Sequence, residues 1–169
     1  SGITDNEKFS AIISYDDLKI VLADGSENNI KLSYDSTSVG LEGIAAMSEG
    51  ADYCDKDITV CGGGSLNIDI DGGDSATGIA GNNVTVDGGA VIGMTIKSKS
   101  GALMSGVMGE SSVAIKNSTV TATGGNVGIK GKSVSITGES TVKASGTTYP
   151  IMSESPIGLS ETLLARGRE

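Results

Sequence analysis

Apolar and polar residues alternate in short runs along most of this chain, and the runs repeat. Four consecutive segments align: Asp57–Gly81, Asn82–Gly109, Ser111–Gly131 and Lys132–Ser153. Each holds three apolar runs. They are Ile58 and Val60, then Leu66, Ile68 and Ile70, then Ile79 in the first segment. The second has Val84 and Val86, then Ile92, Met94 and Ile96, then Leu103. The third has Val113 and Ile115, then Val120 and Ala122, then Ile129. The fourth has Val134 and Ile136, then Val142 and Ala144, then Ile151. A period of two puts successive side chains on opposite faces of a strand, so each run predicts a short strand with one buried face. Gly, Asn, Asp and Ser fill the gaps, where turns need residues that tolerate positive φ.

Three strands in a repeat of about 20–28 residues read as one coil of a parallel β-helix. A coil cannot bury its inward Val and Ile alone; stacking at about 4.8 Å per coil builds a continuous core. An antiparallel sandwich of short strands is the competing arrangement, but hairpins do not account for aligned repeats of three strands. Phe9–Ser14, Leu18–Leu22 and Ile30–Ser33 predict earlier strands, and Ala23–Ser26 a turn. Gly43–Ser48 matches the third run of the later segments, and Glu49–Lys56 reads as a loop. The expected fold is therefore all-β, a parallel β-helix solenoid with three short strands per coil and about five coils. Residues 9–153 form its single domain, after an N-terminal tail at 1–8 and before a C-terminal tail at 154–169. In the latter, Ser160 can N-cap a short helix with Leu163 and Leu164 on one face, covering the last coil's strand edges. An unstructured end is the alternative.

Composition agrees with a narrow bore. Of 169 residues 26 are glycine, five are aromatic and none is Trp or His. Without His, Ser-His-Asp and Cys-His catalysis, His-ligated zinc and an imidazole pH switch are excluded. No apolar run approaches the ~18 residues of a membrane span. The net charge of −9 is uneven: residues 1–87 carry 16 acids against four lysines, a net of −12, whereas residues 88–169 carry five acids against six lysines and two arginines, a net of +3. The acidic half argues against nucleic acid, since phosphate binding wants a basic face. It suits calcium or simple solubility. Cys54 and Cys61 are too few for a disulfide scaffold or a zinc site. They form one local disulfide if the protein is exported, or remain two free thiols.

The sharpest metal candidate is Asp69-Ile70-Asp71-Gly72-Gly73-Asp74. An inward Ile70 puts Asp69 and Asp71 on the outer face, and the double glycine can turn Asp74 back beside them. Calcium wants six to eight hard oxygens, which carboxylates and turn carbonyls supply. Asp52, Asp55 and Asp57 form a second candidate; Asp55 or Asp57 stacked near Asp74 would let one ion bridge coils. Asp16-Asp17 is a weaker pair. Lys97, Lys116, Lys130, Lys132 and Lys143 form a cationic constellation. Stacked coils would align lysines into a ladder suited to the carboxylates of a uronic-acid polymer. Tyr149 and Tyr53 can stack on a sugar ring. Against each stands a plainer role: hydrated turns for the acids, solubility and edge protection for the lysines.

The phrase Leu18–Leu32 (LKIVLADGSENNIKL), with Ala45–Glu49 (AAMSE) and then Asp57–Ile70 (DITVCGGGSLNIDI), resembles bacterial carbohydrate-binding β-helix domains. Those carry a "TLADGTEN" turn, an "AAIYSKDDLTI" strand pair and repeated "G.GSLTV" and "DGI..KDDVTI" coils. Here the places read VLADGSEN, AAMSE…DKDITV, GGGSLNI, and TGIAGNNVTV or VGIKGKSVSI. The resemblance covers roughly residues 9–153. It implies a right-handed β-helix, an extracellular or cell-surface setting after removal of a signal peptide, and polysaccharide binding, sometimes with calcium. The Ser1-Gly2 start reads as processed, in keeping with that. The chain departs from the family at its Asp-Asp pairs, replaced by Asn82-Asn83, Ser111-Ser112 and Lys132-Ser133, and in an insertion at Gly50–Asp55.

A pectin lyase needs Arg or Lys as base opposite calcium, and the chain's only arginines are Arg166 and Arg168 in the tail. A hydrolase needs a carboxylate pair with one pKa raised, which an exposed Asp69-Asp71 turn does little to provide. The expected function is a non-catalytic carbohydrate-binding module for an acidic plant polysaccharide, with calcium as its cofactor. The alternative is a structural or adhesin stalk, monomeric or weakly self-associating head to tail through its acidic and basic halves. A pectin-active enzyme is third.

Overall fold

The computed structural model describes residues 7–35, 39–98 and 104–159. The expected helix from Ser160, with Leu163 and Leu164, lies outside these residues, as do Leu103 and both arginines. The strands are β1 (Glu7–Ser14), β2 (Leu18–Val21), β3 (Glu27–Tyr34), β4 (Val39–Ala46), β5 (Ile58–Cys61), β6 (Ser65–Gly72), β7 (Ala76–Asp87), β8 (Val91–Lys97), β9 (Met104–Lys116), β10 (Thr119–Gly124), β11 (Val127–Thr137), β12 (Thr141–Ser145), β13 (Tyr149–Ser153) and β14 (Gly158–Leu159). Every pairing among them is parallel. That excludes the antiparallel sandwich and agrees with an all-β chain of parallel strands.

Two sheets result. One has five strands in the order β12-β10-β8-β6-β3. The other has nine, β1-β4-β7-β9-β11-β13 with β2, β5 and β14 alongside. The long strands serve twice: β7 pairs with β4 as far as Ala80 and with β5 from Val84. The register shifts between, at Gly81/Asn83 in β7 and at Gly131/Ser133 in β11. These shifts fall at the turns expected between runs, so the chain changes direction without leaving the ladder.

Burial follows the sequence alternation. In β6, Leu66, Ile68 and Ile70 are buried while Asn67 and Asp71 are exposed. Inward residues of paired strands line up in columns. Ile20, Val60, Val86, Ile115, Ile136 and Leu159 form one. Ile12, Ile44, Ile79, Val107, Ile129 and Ile151 form another. Each fully buried aliphatic side chain contributes about 1.5–3 kcal/mol, and the buried members of these columns form the core together with Leu66, Ile68, Ile70, Ile92 and Ile96 of the five-stranded sheet.

Close approach of backbones sets one further feature. A Cβ on Gly78 would lie 2.5 Å from the carbonyl oxygen of Gly106, and one on Gly106 would lie 2.7 Å from that of Gly128. No side chain fits at Gly78 or Gly106.

Two boundaries differ from the sequence reading. β1 begins at Glu7, so residues 7–8 belong to a strand and not to the tail. Residues 158–159, expected as tail, pair with Ser135 and Ile136. Leu159 continues an inward column there, which an open strand edge favours over a free end. The inserted loop folds back over the outside of the larger sheet, where Met47 and Cys54 pack with Ala45 and Ala80.

Candidate functional site

The outer face of the five-stranded sheet gathers most of the expected chemistry. Its inward residues are committed to the core, so alternation delivers the polar ones to solvent. One outward column runs Asn29, Asn67, Gly93, Thr121, Lys143. The next runs Lys31, Asp69, Thr95, Thr123, Ser145. A third begins Ser33, Asp71, Lys97. Asn67 donates from Nδ2 to Asn29 Oδ1 at 3.3 Å. Gly93 leaves room for the Asn67 side chain, whose Oδ1 would lie 2.7 Å from a Cβ there. The result is an open polar face of hydroxyls, amides and opposite charges at strand spacing.

Asp69, Asp71, Lys97 and Lys143 therefore share one face. Asp71 and Lys97 are register neighbours. Lys143 is opposite Thr121 and Gly93, four residues or about 13 Å along the strand from Lys97. The expected lysine ladder is thus not formed by these two. Lys116 ends β9 opposite Thr137, in the other sheet. Lys130 and Lys132 line a small hollow of about 100 Å³ with Glu110, Met152 and Glu154. Tyr149 is exposed on the edge strand β13.

The metal candidates do not assemble. Among the described residues, no group of three or more acidic or cysteine side chains is placed to hold an ion. Asp74 sits at the turn after β6, where its N–H donates to the Val39 carbonyl at 2.7 Å. Asp57 precedes β5, at a different corner. Its Oδ1 accepts from Asn82 Nδ2 at 3.2 Å and from the backbone N–H and Nδ2 of Asn83 at 3.1 and 2.9 Å. Its own N–H donates to Asp17 Oδ1 at 3.0 Å. Asp55 closes the inserted loop: Oδ1 accepts the Ser48 N–H at 2.5 Å and Oδ2 accepts the Ser48 hydroxyl at 2.7 Å. Those bonds hold its carboxyl below the usual carboxylate range.

Asp52 lines a groove of about 600 Å³ with Lys8, Ser10, Ile13, Glu42, Met47 and Ala51. Glu42 lies at its back and is only 5% exposed. It accepts from the Ser10 hydroxyl at 2.9 Å and pairs with Lys8 Nζ at 3.6 Å, so it ties β1 to β4. Nothing in the alternation marks this acid as buried, because its partners Ser10 and Lys8 lie on a strand more than 30 residues earlier. Cys54 and Cys61 are both free thiols. Burial, then the nearby Glu42 charge, pushes the Cys54 thiol up to about 11.

Among the face residues, Lys31 and Asn29 were legible as the polar partners of Ile30 and Leu32. Their alignment with Asp69 and Asn67 needed the register. No protein-family model, curated protein or solved structure matches this chain.

Proposed function

We propose that the chain is a right-handed parallel β-helix with three strands per coil and about five coils, and that it works as a non-catalytic polysaccharide-binding module outside the cell or on its surface. The observation that carries this reading is the face of the five-stranded sheet. Its aligned polar columns repeat at about 4.8 Å, offering an extended polymer amides at Asn29 and Asn67 and hydroxyls at Thr95, Thr121, Thr123 and Ser145 on successive strands. Lys31, Lys97 and Lys143 are cations on that face and favour a polymer bearing uronic carboxylates. Asp69 and Asp71 lie on the outward side of β6, with Asp71 exposed to solvent, which supports binding over cleavage. Among the described residues the acids gather into no preformed calcium site, so calcium is not required by this reading. No described helix is long and apolar enough to cross a membrane.

Titration calorimetry with polygalacturonate and with neutral xylan, each with chelator and with calcium, tests this. Polygalacturonate should bind in chelator. Joint Lys97→Glu and Lys143→Glu substitution should weaken it at least tenfold, while Lys116→Glu, on the other sheet, should leave it unchanged. Absence of binding to both polymers, or equal loss in Lys116→Glu, would overturn the reading.

A further inference from the structure

The inward columns that build the core stop at both ends of the sheets, and each has one exposed end member, while Ile20 and Ile151 at the opposite ends are half-buried against the core. Ile44, Ile79, Val107 and Ile129 are fully buried, whereas Ile12, first in that column, is 39% exposed. Val60, Val86 and Ile115 are fully buried, whereas Leu159, last in theirs, is 42% exposed. Among the described residues, β1, β2 and β3 each pair along one edge only, and so do β12, β13 and β14. Another row of parallel strands at the same spacing buries these residues and satisfies the open edges.

We propose that a second copy of this chain supplies that row, head to tail. β13 and β14 of one copy pair in parallel with β1 and β2 of the next, the two columns that reach both ends of the larger sheet. Strand direction selects this mode. All pairing within the chain is parallel, so the last row of one copy matches the first row of another, while a two-fold contact would oppose the strand directions. Continuing the observed register sets Leu159 against Ile20 and Ile151 against Ile12. Charge agrees. Residues 7–35 hold six acids against three lysines, a net of −3; residues 116–159 hold four lysines against two acids, a net of +2. The contact is heterologous and does not close, so it extends into a filament. It rests on the strand rows and not on glycan binding.

Sedimentation velocity on the full chain, without glycan, tests it across micromolar to millimolar concentration. Average mass should rise above 16.9 kDa with concentration and fall back at high salt. Ile12→Lys and Leu159→Lys should each stay monomeric alone. Mixed, they should give a dimer and nothing larger, because each variant keeps one good end. Leu159 lies on a two-residue surface strand, so its variant decides the matter should Ile12→Lys fail to fold. Monomer at every concentration, association of Leu159→Lys like the parent, or higher species in the mixture would overturn the proposal.

Discussion

Asp57 and Asn83 are locked together across neighbouring strands: one carboxylate oxygen takes both the backbone N–H and the side-chain amide of Asn83, at 3.1 and 2.9 Å. The column continues on either side. Asp17 accepts the Asp57 N–H, and the Ser112 hydroxyl donates to Asn83 Oδ1 at 2.7 Å. An acid that the sequence offers to a metal is here an acceptor for a corner's donors.

Asp57→Ala should therefore destabilise the fold by about 1–3 kcal/mol, the cost of leaving partly buried donors unsatisfied. Asp57→Asn, which keeps one acceptor oxygen, should cost less. Urea unfolding measures both. Calcium should leave the parent's Tm unchanged, and a calcium-dependent rise abolished by Asp57→Asn would make this corner a metal site instead.

The glycine column gives a second test. Ala at Gly78 meets a backbone oxygen and the Met94 sulfur, 2.8 Å away, at once. The backbone cannot yield as a side chain can. Gly78→Ala should cost about 1–3 kcal/mol or more. Gly50→Ala, in open space but at φ 76°, should cost about 1–2 kcal/mol from left-handed strain alone. Thermal unfolding that ranks Gly50→Ala as the worse variant would contradict the close approach.

The inserted loop should respond to pH at both extremes. Cys54 holds its proton to about pH 11 in the folded state, whereas an unfolded thiol releases it near 8.5. Between those values the folded state binds more protons, so stability falls as pH rises; Cys54→Ala should flatten that slope. Asp55 is shifted the other way, so its contribution is present above the ordinary carboxylate range and is lost as pH falls through its depressed folded pKa. Ser48→Ala should move loop opening to higher pH. Dithiodipyridine labelling of Cys54 reads the acid side, with the partly exposed Cys61 reacting first throughout. Equal labelling rates would show that the loop does not cover Cys54.

Much of the architecture was legible without coordinates, because strand alternation is local. Ile68 and Ile70 had to face one way and Asp69 and Asp71 the other, whatever the rest of the chain did. The repeats likewise made parallel stacking the economical arrangement, and the pairs Val84–Val113 and Val113–Val134 show it. Which residues become neighbours across strands was not legible. A period of two assigns a face, but a column position depends on how many residues each turn consumes, and these turns differ in length. That is why Lys97 came to rest beside Asp71 and away from Lys143, and why Asp57 met Asn83 and not Asp74. The covering of Glu42 and Cys54 was likewise decided in three dimensions. An insertion carries no periodic signal, and only the apolar surface it found, Ala45 and Ala80, determined where it would lie.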